Sequence, residues 1–101
     1  MKKMIALLAF GLALSAVPAG ATGLLTCDSG DQSTWKTQEQ LTAKITADGW
    51  KVRRIKIDGG CYEVYGTSPE GQSVEAYFHP KTLEHLLTAR FGQILYRKPG
   101  I

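Results

Sequence analysis

The chain has 101 residues, with 12 Lys and Arg against 9 Asp and Glu and two cysteines. That length supports one small domain with a modest core, of the size that often needs a covalent staple. Two of the basic residues, Lys2 and Lys3, fall in the first few positions; without them 10 face 9, and the net charge drops to +1. A nucleic-acid reading built on the basic excess is therefore excluded.

In chain order, MKKMIALLAFGLALSAVPAGA comes first. Lys2 and Lys3 precede an apolar stretch from Met4 to about Val17, followed by Ala19-Gly20-Ala21. A charged n-region, a short h-region and an A-x-A site read as a secretory signal peptide spanning residues 1–21. The apolar stretch is about 14 residues, short of the roughly 20 that span a bilayer. An uncleaved anchor is the alternative. Export predicts a periplasmic or secreted product.

Residues 22–34 are polar and small apart from Leu24 and Leu25, an irregular lead that carries Cys27. The domain proper is assigned to residues 35–101. Thr37-Gln38-Glu39-Gln40 fits a capping box, with Thr37 as N-cap. Leu41 and Ile45 share a helix face, Trp35 is placed to pack before the first turn, and Gly49 suits a left-handed C-terminus. These features predict a helix over 38–47.

WKVRRIKI, residues 50–57, has β-branched residues in broken alternation. A bulge near Arg53 and Arg54 brings Trp50, Val52, Ile55 and Ile57 to one side. Asp58-Gly59-Gly60 is a turn, CYEVYGT (61–67) a strand, and Ser68-Pro69-Glu70-Gly71 a second turn. QSVEAYF (72–78) alternates, with Val74, Ala76 and Phe78 inward and Ser73, Glu75 and Tyr77 outward. Beyond Pro80 the leucines at 83, 86 and 87 with Arg90 favour a second short helix; a turn and an extended segment are the alternative. QILY, residues 93–96, then makes a fourth, edge strand. The expected class is α+β, one N-terminal helix packed on a small antiparallel sheet of three to four strands.

Trp35, the short helix, Gly49-Trp50-Lys51-Val52-Arg53-Arg54-Ile55, Gly60-Cys61-Tyr62-Glu63-Val64-Tyr65, Gly71 and Val74-Glu75-Ala76-Tyr77-Phe78-x-Pro80-x-Thr82 occur in an order that resembles the PepSY family. The similarity is to its small exported single-domain type and runs from Trp35 to Thr82. It implies a helix on a small antiparallel sheet and a non-catalytic role, as in the propeptides of thermolysin-like metallopeptidases. The family pattern closes on an aspartate, proline, any residue, threonine and glycine turn. Here the stretch reads His79-Pro80-Lys81-Thr82-Leu83. Leucine in place of glycine argues against the tight turn and for a helical continuation.

In an exported chain an even cysteine pair reads as a Cys27–Cys61 disulfide, with free structural cysteines and a nucleophilic Cys61 as alternatives. Glu63 close by disfavours a thiolate at Cys61. His79 and His85 are six apart, which does not stack on one helix face, so surface histidines outweigh a metal site. Glu63 and Glu75 on neighbouring strands read as a solvated sheet face, balanced by Arg53, Arg54 and Lys56, rather than an acid–base pair. Tyr65 and Tyr77 fall on the same outer face, and tyrosines among charges make good contact surfaces.

The sequence therefore predicts a non-enzymatic exported domain with no cofactor and no nucleic-acid partner, and no stable membrane insertion after cleavage. It is expected to bind a protein or peptide, as modulator of a peptidase or membrane protein, through Tyr65, Tyr77, Glu63, Glu75 and Arg53. A periplasmic metal or small-ligand carrier using His79 and His85 is the alternative.

Overall fold

The computed structural model describes residues 23–101; the expected export segment, residues 1–21, lies outside the described residues. After the lead and a 3-10 turn (Gln32–Thr34) come α1 (Gln38–Ala47), β1 (Lys51–Asp58), β2 (Cys61–Thr67), β3 (Ser73–Phe78), β4 (His85–Arg90) and β5 (Gln93–Arg97). The five strands form one antiparallel sheet in the order β1-β2-β3-β4-β5, each paired with its sequence neighbour. The class is α+β. The expected count of three to four strands is too low, and the segment expected to be a second helix is strand β4.

Helix α1 begins as its capping residues dictate. The Gln40 backbone N–H donates to Thr37 Oγ1 at 3.0 Å, and the Thr37 N–H donates to Gln40 Oε1 at 2.8 Å. Two donors left over by the first turn are thereby satisfied. Gly49, with φ of 103°, ends the helix where a side chain is disfavoured. Leu41 and Ile45 are fully buried against the sheet, each contributing roughly 1.5–3 kcal/mol by burial.

They meet Trp50, Tyr62, Val64, Val74, Ala76, Phe78 and Leu83, with Trp35, Val52 and Ile55 at the margin. Trp35 lies edge-on to Tyr62, ring centroids 5.6 Å apart, and its indole N–H donates to the Ser29 carbonyl at 2.9 Å. The register of β1 against β2 shifts between Val52 and Arg54, the bulge expected there. It keeps Val52 and Ile55 on the core side but leaves Ile57 43% exposed.

The opposite face of the sheet is also covered. Cys61, Tyr77, Leu86, Leu87 and Ala89 form a second buried cluster with Cys27, and Leu24 and Leu25 of the lead pack on it. The lead crosses the β1–β2 turn, where the Cys27 N–H donates to the Gly59 carbonyl at 2.8 Å. A Cβ at Gly59 would lie 2.6 Å from the Leu25 carbonyl oxygen, and one at Gly60 2.8 Å from that of Cys27. Both residues also have positive φ, so this turn needs glycine twice over.

A tight turn at 79–83 forms with leucine where the resembled pattern has glycine. Leu83 takes φ of 63°, its N–H donates to the His79 carbonyl at 2.7 Å, and the His79 N–H donates to the Glu84 carbonyl at 3.0 Å. A left-handed leucine costs about 1–2 kcal/mol. Burial of the Leu83 side chain in the main core offsets it. The expectation that leucine would convert this turn into helix is thus overturned by packing.

Candidate functional site

The five residues expected to form one exposed contact face occupy different environments. Glu63 and Tyr77 are fully buried. Tyr65 and Glu75 are half-buried, and Arg53 alone is exposed. The expected solvated tyrosine–carboxylate face is therefore covered, because the lead lies over the side on which Cys61, Glu63 and Tyr65 alternate.

The Tyr77 hydroxyl donates to Asp58 Oδ2 at 2.7 Å, and the Gly23 N–H donates to the same oxygen at 2.7 Å. Burial alone would raise the Asp58 pKa, but these two hydrogen bonds, with Lys56 nearby, hold it below its ordinary value. Burial and the Asp58 carboxylate push the Tyr77 phenol well above the usual range. Tyr65 lies beneath two cations, Arg54 at 4.9 Å and Lys56 at 5.6 Å from the ring centre. Its phenol is pushed up to about 12, first by burial and then by Glu63.

Glu63 is the anomaly of this face. Neither carboxylate oxygen has a partner within hydrogen-bonding geometry. Its cross-strand neighbours are Lys56 on β1 and Tyr77 on β3. Tyr65 is near enough to favour the charged form, yet burial, reinforced by Asp58 and Glu75, raises the pKa. A raised folded-state pKa means stability that is present below the ordinary value of 4.5 and is lost as pH climbs through the higher folded value. Glu63→Gln is accordingly expected to stabilise the domain by about 1–2 kcal/mol at pH 8 and by little at pH 4. Urea unfolding at the two pH values checks it; equal differences at both would remove the buried charge as the cause.

The cysteines form the Cys27–Cys61 disulfide, with no free cysteine among the described residues. A nucleophilic Cys61 is thereby excluded in this state.

The two histidines do separate structural work. His79 Nδ1 accepts from the Lys81 N–H at 3.1 Å, which places its proton on Nε2, 3.2 Å from the Asp28 carbonyl. The imidazole thus accepts from the backbone two residues on, as an aspartate does in an Asx turn. His85 lies stacked between Phe78 at 5.0 Å and Tyr96 at 4.7 Å, with Trp50 edge-on at 5.5 Å and Nε2 bonded to Thr88 Oγ1. Burial holds its pKa below the ordinary value. Among the described residues, no group of three or more His, Cys, Asp or Glu is placed to hold a metal ion.

Two features outside the predicted site stand out. Every residue of the edge strand β5 is exposed, including Ile94, Leu95 and Tyr96, and Phe91 in the preceding turn is 80% exposed. Phe91 and Gly92 both have positive φ, a tight hairpin in which a phenylalanine occupies a position usually given to Asn, Asp or Gly. Beside β5 lies a cleft of about 440 Å³ lined by Trp50, Ser68, Glu70, Gln72, His85, Thr88, Leu95 and Tyr96. QILY was legible as an edge strand, but the aromatic wall depends on His85 lying in a strand.

Residues 5–88 match the family model described as "Peptidase propeptide and YPEB domain". The chain belongs to the PepSY family. PepSY domains are generally non-catalytic, propeptide-like domains. The matched span begins inside the expected export segment and ends within β4, so the β5 edge lies beyond it. No curated protein and no solved structure matches the chain.

Proposed function

We propose that this PepSY domain is exported to the periplasm or beyond and binds an extended segment of a protein partner, modulating a peptidase or a membrane protein without catalysing a reaction. The observation that carries the reading is the contrast between the two edges of the sheet. Edge strand β1 is broken by a bulge and carries Lys51, Arg53, Arg54 and Lys56, devices that discourage strand addition. Edge strand β5 presents Ile94, Leu95 and Tyr96 to solvent with Phe91 beside them. An edge of that kind accepts an extended chain through its free backbone groups. The groove between α1 and β1 that Arg53 lines is a second and weaker candidate surface; half-buried Tyr65 and Glu75 lie outside it.

The test is photo-crosslinking in intact cells, with a photoreactive residue at Phe91 in one strain and at Arg53 in another. A discrete adduct from the Phe91 position, lost when Leu95→Lys is added, is the expected result. Adducts from the Arg53 position alone would move the surface to β1 and overturn the edge reading. Export is tested separately by intact mass, which should begin at Thr22.

A further inference from the structure

The cleft beside β5 is continuous with the edge, because Leu95 and Tyr96 belong to both. Tyr96 pairs with Thr88 across β4 and stacks on His85, so its side chain lies on the sheet face that carries Trp50 and Phe78. A chain added along β5 presents the residue opposite Tyr96 to that same face, since directly paired side chains point the same way. That residue therefore stands over the cleft.

The walls say what kind of side chain fits. Trp50 and Tyr96 supply ring surface, His85, covered on both faces by Phe78 and Tyr96, supplies only its edge, and Ser68, Gln72 and Thr88 supply neutral polar groups. Glu70 is the one carboxylate among the lining residues, and burial holds the His85 pKa below its ordinary value. Among the described residues Glu70 makes no ion pair; the two pairs present are Lys44–Asp48 and Lys98–Glu84. Lys44, the cation that acts on His85 from α1, is thus already held by Asp48 at 3.6 Å. Aromatic faces with an exposed carboxylate favour a cation on an apolar stem.

We propose that the cleft is a specificity pocket for a lysine or arginine side chain of the extended segment that adds to β5, with Glu70 as its counter-charge and Trp50 and Tyr96 as its walls. The inference rests on the edge-binding reading above, and one experiment separates the two. The protein, expressed as the full chain and labelled with nitrogen-15, is titrated with a capped Thr-Val-Lys-Val-Thr peptide and with the same peptide carrying norleucine for lysine. The expected result is amide shifts along Gln93–Arg97 with both peptides. The Trp50 indole shifts with the lysine peptide, whose affinity is about tenfold higher. Glu70→Gln, an exposed substitution whose fold the same spectrum verifies, should shrink that preference to about twofold or less.

Equal affinities for the two peptides, unchanged by Glu70→Gln, would overturn the pocket while leaving the edge reading in place. No shift along β5 with either peptide would overturn both. Binding of n-butylammonium alone as tightly as the lysine peptide would assign the cleft to a free amine and overturn the peptide pocket.

Discussion

Replacing Cys27 and Cys61 together with alanine is expected to remove about 4 kcal/mol of stability, the chain-entropy value for a bridge with a sequence separation of 34. Net stabilities of small domains run from roughly 5 to 15 kcal/mol, so most of the margin is at stake. The fold gives a reason to expect no less. The lead covers the second face of the sheet with Leu24 and Leu25. Besides the bridge it is held by hydrogen bonds that include Cys27 N–H to Gly59, Ser29 Oγ to Gly60, Trp35 Nε1 to Ser29, Gly23 N–H to Asp58, Leu24 N–H to the Tyr77 hydroxyl and His79 Nε2 to the Asp28 carbonyl. Several of these depend on the lead staying over the Gly59-Gly60 turn. Freed of the bridge, the lead can lift, and Tyr77 and Leu87 beneath it gain water. Urea unfolding of oxidised protein, reduced protein and the double variant measures the cost. A loss below about 1 kcal/mol would show that the lead holds the sheet without its covalent tie.

The half of the chain governed by local signals was legible. The capping box, Gly49, the bulge at 53–54, the glycine turn and strands β2 and β3 all follow from short-range rules and occur where those rules place them. The segment that forms β4 was not, and the reason is where that strand sits. It is an interior strand covered on both faces, so Leu86, Leu87, Thr88 and Ala89 are all buried. A run of that kind loses its alternation and cannot be told from a helix by periodicity. The outer face failed for a related reason. Alternation places Glu63 and Tyr77 opposite the main core correctly, but opposite the core is not the same as exposed. One signal was available: Cys61 shares its parity with Glu63, so a bridge from Cys61 to the lead must bring the lead onto that face. PepSY membership was legible from the order of motifs and QILY as an edge strand, whereas the cleft beside that edge had to be found in three dimensions.

Tyr77 separates a covered face from a contact face most sharply. Were it a surface tyrosine, Tyr77→Ala would cost little in stability and act on binding alone. Fully buried against Cys61, Leu87 and Ala89, it is expected to cost about 3–5 kcal/mol, the range for emptying an aromatic site in a core. Half-buried Tyr65, under Arg54, should cost under about 1 kcal/mol on the same change. The conservative variant isolates the hydroxyl. Tyr77→Phe keeps the ring but removes the donor to Asp58 Oδ2, for about 1.5–3 kcal/mol, the range for a hydrogen bond to a charged group. That loss carries a pH signature. Asp58 has a folded-state pKa below its ordinary 3.8, so its hydrogen bonds stabilise fully above that value and the contribution fades as pH falls through the lower folded value. The gap between wild type and Tyr77→Phe should therefore be flat above about pH 5 and narrow toward pH 2. A gap that stays constant to pH 2 would mean the hydroxyl contributes through something other than the Asp58 carboxylate. The two expected contrasts, Ala against Phe and neutral against acid pH, assign Tyr77 to the second core of this small sheet rather than to a contact face.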